Sequence, residues 1–302
     1  MSIRTLGLLG LLAVAPAFAA TPIDQSRPLD ADGQVSIDNL KGRIVVRVWN
    51  QPQVRIAGTL GDGVEKLIVD GDAHALRIKV KYPNQSGGWN LWSKGGNRAE
   101  PSVIEVTVPQ RASLDLDSVS ADVDVQGTAG RRLSVDSVSG LVQVAASSPG
   151  EVNVSTVSGD IGLRLTSSKV KVETVSGDLN MQGGLTGEVH LESVSGDMKM
   201  IAQTLNSLEL STVSGDASLQ MDLAQKGSIS TDSVSGNIDL SLPKTVGANL
   251  HAESFSGDIS SPVGQVRKEE FGPGSSLDTR FGTGQAQIKL KSFSGDIRLR
   301  LR

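Results

Sequence analysis

The sequence predicts an all-β protein, a single-chain parallel β-solenoid that is β-helix-like, with coils of about 19–21 residues and an irregular N-terminal third. Three observations lead to this fold class. A Ser/Thr-Val-Ser-Gly-Asp pentapeptide, or a close variant, recurs nine times between Ser118 and Asp296. Apolar and polar residues alternate on both sides of each copy. After residue 19, no segment of useful length has the apolar period of a helix.

The interval between copies is nearly constant. With the fourth residue of the pentapeptide as a marker, the steps are 19, 19, 18, 19, 19, 21, 21 and 38 residues, and the markers are Ala121, Gly140, Gly159, Gly177, Gly196, Gly215, Gly236, Gly257 and Gly295. The last step is two periods, so one coil has lost its signature or has been replaced by a loop. A period of about 20 residues is typical of units that bury their apolar faces only against their neighbours.

Each copy predicts a strand, a corner at Val-Ser-Gly-Asp and a second strand. Ser and Asp favour turns, and Gly permits a positive φ. The alternation changes phase by one residue at the corner. In the copy at Gly177 the predicted inward set is Val170, Val172, Thr174, Val175, Leu179 and Met181.

Stacking in register places equivalent residues about 4.8 Å apart and therefore predicts columns. One column is predicted to be buried: Val119, Val138, Val157, Val175, Val194, Val213, Val234, Phe255 and Phe293. A hydroxyl column is expected beside it: Ser118, Ser137, Thr156, Thr174, Ser193, Thr212, Ser233, Ser254 and Ser292. The repeat-turn aspartates are expected to form an outward row: Asp122, Asp160, Asp178, Asp197, Asp216, Asp258 and Asp296.

The aspartate row has two interpretations. Carboxylates about 5 Å apart could bind divalent cations. Capping of the turns by local hydrogen bonds is favoured, because two such charges in water repel by only about 1 kcal/mol and no calcium-loop spacing is present. We therefore expect no metal site and no cofactor.

The N-terminus predicts export. Residues 1–19 have the features of a secretory signal peptide: Arg4, an apolar run over residues 6–15, and a cleavage motif at Ala17-Phe18-Ala19. No later segment approaches the roughly 20 apolar residues that a transmembrane helix needs. The expected location is the periplasm, the cell surface or the medium.

Composition excludes several classes of site. The chain has no cysteine, which rules out disulfides and thiolate metal sites. Its 29 Lys and Arg against 33 Asp and Glu, without basic runs, argue against nucleic acid as a partner. The sequence does not predict an oligomeric state.

We interpret residues 20–302 as one β-solenoid domain. It comprises irregular coils over 20–112, regular repeats over 113–260, a loop insertion at 263–284 and a terminal coil at 285–302. A separate small β cap at the N-terminus is the alternative.

An aromatic loop interrupts the repeat between Pro83 and Glu100. It contains Trp89 and Trp92, and Tyr82 precedes it. Aromatic side chains with a polar group are typical contacts of sugars and protein partners, so these three residues are candidates for ligand or partner contact. The alternative is that they pack against the scaffold and cover it.

The strand at 103–109, with sequence VIEVTVP, and the serial coils that end in KSFSGDIRL at 291–299 give the chain a family resemblance. It resembles the bacterial putative adhesin family, whose members carry a β-strand-repeat domain of unknown function. The resemblance covers essentially the whole mature chain. It implies an exported parallel β-helix-like protein and supplies no catalytic residues. Ala121, Leu141 and Asn237 depart from the signature.

The expected function is non-catalytic: an exported β-repeat protein, adhesin or envelope scaffold, that presents a binding face to polysaccharide or an envelope protein. A β-helix carbohydrate-active enzyme, either a polysaccharide lyase or a hydrolase, is the first alternative. The nearly loop-free coils between Ala121 and Gly257 argue against it, because such enzymes surround a groove with long loops. A self-associating structural filament is the second alternative.

Overall fold

A computed structural model describes residues 21–83, 99–270 and 272–302. In this part of the chain there are 23 strands and no helix, which confirms the predicted all-β class. The first strands are β1 (Thr21–Pro28), β2 (Gln34–Trp49), β3 (Gln53–Leu60), β4 (Lys66–Gly71), β5 (Ala75–Lys81), β6 (Ser102–Pro109) and β7 (Ser113–Gln126). No helix that could cross a membrane is found in these ranges.

The repeats occupy the next strands. They are β8 (Arg132–Ser139), β9 (Val142–Ser147), β10 (Glu151–Ser158), β11 (Ile161–Leu165), β12 (Ser167–Ser176), β13 (Leu179–Gln182), β14 (Leu185–Ser195), β15 (Met198–Thr212), β16 (Ala217–Ser233) and β17 (Ile238–Leu242). The last are β18 (Ala248–Ser254), β19 (Ile259–Ser260), β20 (Arg267–Lys268), β21 (Ser275–Phe281), β22 (Ala286–Ser292) and β23 (Ile297–Leu301).

The strands form two parallel stacks that meet at the Val-Ser-Gly-Asp corner. The stack before the corner has the order β5, β2, β7, β8, β10, β12, β14, β15, β16, β22, β18. The stack after the corner has the order β6, β2, β7, β9, β11, β13, β15, β16, β17, β23, β19. Strands β2 and β7 run through the corner without a break.

Antiparallel strands cover both ends, so the sheet is mixed and a purely parallel stack does not describe it. At one end β4 pairs with β5, while β3 pairs with β6 and β1 with β3. At the other end β21 pairs with β18, and β20 with β21. Open strand edges recruit other chains, and these added strands protect the edges of the parallel core.

The terminal coil does not lie at the end of the stack. Strand β22 lies between β16 and β18, and β23 lies between β17 and β19. The coil at Gly295 therefore separates the coil at Gly236 from the coil at Gly257. The N-terminal end mirrors this order, because β2 lies between β7 and the outermost strands β5 and β6. The coil that comes first along the chain is therefore the second coil from one end of the stack, and the coil that comes last along the chain is the second from the other end.

The core lies between the two stacks. Inward residues follow the alternation before and after each corner, as Val170, Val172, Leu179 and Met181 do in the coil at Gly177, and all four are buried. The hydroxyl column is buried as predicted, with each member at most 8% exposed.

The valine column is a correction. Val119, Val138, Val157, Val175, Val194, Val213, Val234, Phe255 and Phe293 were expected inside and are 42–56% exposed. In β8, β10, β12 and β14 the strand before the corner continues through the valine; β12, for example, ends at Ser176. Strict alternation from an inward Thr174 therefore turns Val175 outward. In the coil at Gly177 the change of phase is spread over the whole corner, and none of its four residues is buried. Ala121, Gly236 and Gly295 are buried at the third corner position of their own coils.

Gly177 shows why the corner needs glycine. Its φ is +129°, and a Cβ there would lie 2.3 Å from the carbonyl oxygen of Gly159 in the neighbouring coil. An L side chain is excluded both by the backbone conformation and by the close contact between coils.

Candidate functional site

An exposed apolar ladder runs along the corner of the stack. Its ten members in spatial order are Leu40, Val119, Val138, Val157, Val175, Val194, Val213, Val234, Phe293 and Phe255. Leu40 joins it because its neighbours Asn39 and Lys41 pair with Ser118 and Ser120 on either side of Val119. Contiguous exposed apolar surface marks interaction sites.

The hydroxyl ladder supports this surface from inside. It consists of the buried Ser and Thr column described above. Ser118 and Ser137 share a hydrogen bond of 2.8 Å, and Thr156 donates to Thr174 at 3.0 Å. Near the other end, the backbone N–H of Gly295 donates to Ser292 at 2.8 Å. These bonds hold the corner in place and set the position of the apolar side chains outside it.

A groove of about 590 Å3 follows the ladder across the regular coils. One wall is apolar and consists of Val138, Val157, Val175, Val194 and Val213. The opposite wall is polar and consists of Asp136, Ser155, Glu173, Glu192 and Ser211. Hydroxyl-ladder residues, from Ser118 to Thr212, lie along its floor. The groove can therefore accommodate a long ligand that is apolar on one side and polar on the other.

The predicted aspartate row is an aspartate ladder on the other side of the corner. Except in the outermost coil, where Asp258 instead accepts from Lys268, the aspartate Oδ1 accepts the backbone N–H of the equivalent residue in the next coil. The Asp197 N–H donates to Asp178 and the Asp216 N–H donates to Asp197, both at 2.9 Å. Asn237 substitutes in this role, since its Oδ1 accepts the N–H of Asp296 at 2.9 Å. Leu141 is a break in the ladder, because its side chain has no acceptor. The observed bonds are turn-capping bonds between coils.

Basic side chains lie beside the aspartates at the two ends of the aspartate ladder. Arg43 lies 3.7 Å from Asp122, and Lys268 lies 2.9 Å from Asp258. In the described ranges, no ion pair involves Asp160, Asp178, Asp197 or Asp216. The same ranges contain no group of three His, Cys, Asp or Glu side chains close enough to hold a metal ion.

A second line of acidic residues, the acidic row, faces outward before the corner. Its carboxylates are Asp38, Asp117, Asp136, Glu173, Glu192, Asp232 and Glu253. Partial burial, and then the negative charges of Asp115, Asp136 and Asp38, raise the pKa of Asp117. Lys291 interrupts the row between Asp232 and Glu253 and pairs with Glu253 at 3.2 Å. In the central coils, the exposed apolar ladder is therefore bordered by negative charge on both sides.

The aromatic candidates fall in two places. Tyr82 is half-buried, and its hydroxyl lies within hydrogen-bond distance of two acceptors, Asn39 Oδ1 at 2.9 Å and the Lys41 carbonyl at 3.0 Å, to either of which its one proton can be donated. Burial raises the pKa of Tyr82. Its hydroxyl thus lies beside Asn39, next to the end of the hydroxyl ladder, and contact of its ring with a ligand or partner stays a prediction. Trp89 and Trp92 lie outside the described residues.

The sequence pattern of the Toastrack DUF4097 family matches residues 66–300. The chain belongs to this family. The assignment confirms the resemblance to the putative adhesins with a β-strand-repeat domain of unknown function. No curated protein matches the chain significantly.

Two solved structures show different degrees of similarity to this chain. A crystal structure of a putative adhesin from Parabacteroides distasonis ATCC 8503 superposes with a TM-score of 0.54 at 10% identity, covering 93% of this chain and 98% of that one. A putative adhesin from Bacteroides fragilis NCTC 9343 has a TM-score of 0.47 at 15% identity, with 93% and 98% covered. At these identities the likeness concerns the fold alone.

Sequence reasoning missed the exposed ladder and its groove. The signal was present, because alternation that places Val170, Val172 and Thr174 inside requires Val175 to lie outside. Leu40 was also missed, since its coil lacks the pentapeptide.

Proposed function

We propose that this protein is a non-catalytic exported β-solenoid that acts as an adhesin or envelope scaffold. Its binding face is the exposed apolar ladder with the adjoining groove, and its partner is a polysaccharide or a protein of the envelope. The single observation that carries the proposal is the continuous exposure of ten apolar side chains along one corner. Folding gains nothing from keeping them in water, so contact with a partner explains their repetition.

The repeated geometry of the groove supports binding over catalysis. Its apolar wall has a valine in each of five successive coils, which suits a long partner rather than a reaction at one point. A carbohydrate-active enzyme would need an acid pair, or an acid with arginine, placed at one point of the groove. Glu173 and Glu192 are in-register neighbours on its polar wall, but each is paired with a basic side chain, Lys171 at 2.6 Å and His190 at 2.8 Å. The antiparallel strands at both ends likewise support a discrete molecule over a filament built end to end.

The test is binding by a ladder variant. Val157, Val175 and Val194 are replaced together by serine, and Ile201→Ser serves as the control because Ile201 is 38% exposed at another surface. We expect the purified protein to sediment with isolated envelope polysaccharide or to bind solubilised envelope protein, and the triple variant to lose at least about tenfold in affinity. Equal binding by the triple variant and the wild type would refute the proposed face.

A further inference from the structure

We propose that the exposed apolar ladder and its two acidic borders form the docking site for a cationic amphipathic α-helix of a partner protein or peptide. The inference rests on the proposed function, since it uses the same face, and it specifies the chemistry of the partner. Three features of the corner carry it: the sign of charge on both borders, the spacing of the ladder and its length.

Charge selects a cationic partner. On one border, Asp160, Asp178, Asp197 and Asp216 use one carboxylate oxygen for the next coil, and no cation of the described residues pairs with them. On the other border lie Asp136, Glu173 and Glu192. Glu173 has a partner in Lys171 at 2.6 Å, and Glu192 has one in His190 at 2.8 Å, whereas Asp136 has none in the described ranges. The central coils therefore retain net negative charge on both sides of the valines.

This charge pattern disfavours two other occupants. A second copy docked face to face would bring acidic borders against acidic borders, which costs free energy. An anionic membrane surface would be repelled in the same way. A helix with an apolar stripe between two lines of Lys or Arg complements both the stripe and its borders.

Spacing favours a helix over an extended strand. The ladder repeats at about 4.8 Å, so its ten members span about 43 Å. A helix turn rises about 5.4 Å, so eight turns, or about 29 residues, cover the same length while presenting an apolar residue at nearly every rung. A strand presents same-face side chains about every 6.8 Å and loses register with the rungs after one or two residues.

The experiment uses designed peptides of about 29 residues, matched to the ladder length. The probe is a Leu/Lys peptide with leucine every third or fourth residue. One control peptide has the same composition with the leucine stripe scrambled, and another replaces lysine by glutamate. Binding to the whole protein is measured by fluorescence anisotropy. Envelope polysaccharide and anionic phospholipid vesicles are tested in parallel.

Two variants of the protein separate the apolar and charged contributions. The first is the Val157, Val175 and Val194 to serine triple. The second replaces Asp160, Asp178, Asp197 and Asp216 by asparagine, which keeps the bonds between coils as Asn237 does. Its control removes four exposed carboxylates elsewhere, by Asp32→Asn, Asp70→Asn, Glu105→Gln and Glu188→Gln. Circular dichroism verifies folding, and Val175→Ser alone replaces the triple if the triple fails to fold.

We expect the Leu/Lys helix to bind, each ladder or aspartate variant to weaken binding at least about tenfold, and salt at about 1 M to weaken it further by screening. The control variant should bind as the wild type does. Equal binding of the scrambled peptide, binding of the Leu/Glu peptide, or binding that survives both variants would overturn the inference. Binding of polysaccharide or vesicles through the ladder, without the helix, would also overturn it. In the polysaccharide case the proposed function stands. No binding by any of these probes overturns the inference, and if solubilised envelope protein also fails to bind, the proposed function is removed as well.

Discussion

The rings of Phe255 and Phe293 stack with their centroids 4.9 Å apart and their planes 8° from parallel. They are neighbours because the terminal coil lies inside the outermost one, and Phe293 also adjoins Val234 on its other side. The spatial order along the ladder is thus Val234, Phe293, Phe255.

Engineered cysteine pairs test this order. The chain has no cysteine, so in a Val234→Cys, Phe293→Cys double variant the two introduced thiols are the only ones in the chain that can form a disulfide. Adjacent strands place the Cα atoms about 5 Å apart, within disulfide range, whereas Val234 and Phe255 are about 10 Å apart across two steps. We expect mild oxidation to crosslink the first pair and not the Val234→Cys, Phe255→Cys pair, as read by mass spectrometry. The reverse result would place the coils in sequence order.

Gly177→Ala should strongly destabilise the protein, by about 1–3 kcal/mol or more, because the residue has φ +129° and its new Cβ would meet the Gly159 carbonyl oxygen. Gly162→Ala is the matched control. Its Cβ would have its nearest neighbour at 3.8 Å, and its backbone is not in the left-handed region. Urea unfolding measures the free energy of unfolding of both variants. A similar loss of stability in the two would contradict the corner geometry.

Thr231→Val should stabilise the protein. Thr231 is fully buried, and its hydroxyl has no hydrogen-bond partner among the described residues. It lies in register with Leu210 and Leu290, so an apolar side chain suits the site. Removing the unpaired hydroxyl at nearly constant volume should add about 1 kcal/mol to the free energy of unfolding.

Thr174→Val provides the comparison for that variant. The Thr174 hydroxyl is also buried, but it accepts from Thr156 at 3.0 Å. Its loss should cost about 1–3 kcal/mol, since the Thr156 hydroxyl loses its partner. A destabilised Thr231→Val protein would show that the hydroxyl has an unrecognised partner.

Asp178→Asn should leave stability nearly unchanged, whereas Asp178→Ala should cost about 1 kcal/mol. The asparagine Oδ1 can still accept the Asp197 N–H, as Asn237 accepts that of Asp296, and alanine cannot. Thermal unfolding of both variants is the measurement. Equal stability of the alanine variant and the wild type would mean that the aspartate ladder does not hold the coils together.

Asp117→Asn should raise the free energy of unfolding at neutral pH. Partial burial and the charges of Asp115, Asp136 and Asp38 raise the pKa of Asp117 in the folded protein, while Arg77 opposes them. A raised folded-state pKa means that ionisation costs stability, and that the cost disappears as the pH falls through that pKa. The advantage of the variant should therefore shrink to nothing near about pH 3, below the ordinary value of about 3.9.

Urea unfolding across this pH range measures the difference. Asp70→Asn, at an exposed position on β4, is the matched control for removing a surface carboxylate. An advantage of Asp117→Asn that is the same at acidic and neutral pH would show that its origin is not electrostatic.

The repeat made the coil, its period and most of its columns predictable. Ser118 and Thr174 were placed correctly because an in-register stack repeats each environment. Val175 was placed on the wrong side because the change of phase was assigned to one residue instead of the four-residue corner. No local pattern reports the position of the terminal coil, since the coils at Gly236, Gly257 and Gly295 share one template and each can stack on either of the others.

The antiparallel strands at the two ends were harder to predict from the sequence. They come from irregular segments, such as β3 and β21, that have the alternation of any strand and no signature to give their direction. The candidate site followed from the corrected orientation of a column already identified, since strict alternation through Val175 turns the valines outward.

The position of β22 and β23 has a consequence for how the molecule forms. If coils were added in chain order, each new coil would stack on the one before it. The space between β16 and β18 is instead occupied by β22, which follows both of them in the chain. Residues 286–301 must therefore enter a place that earlier residues have left open. Native structure at this end is completed late, after translocation or synthesis has delivered the last turn.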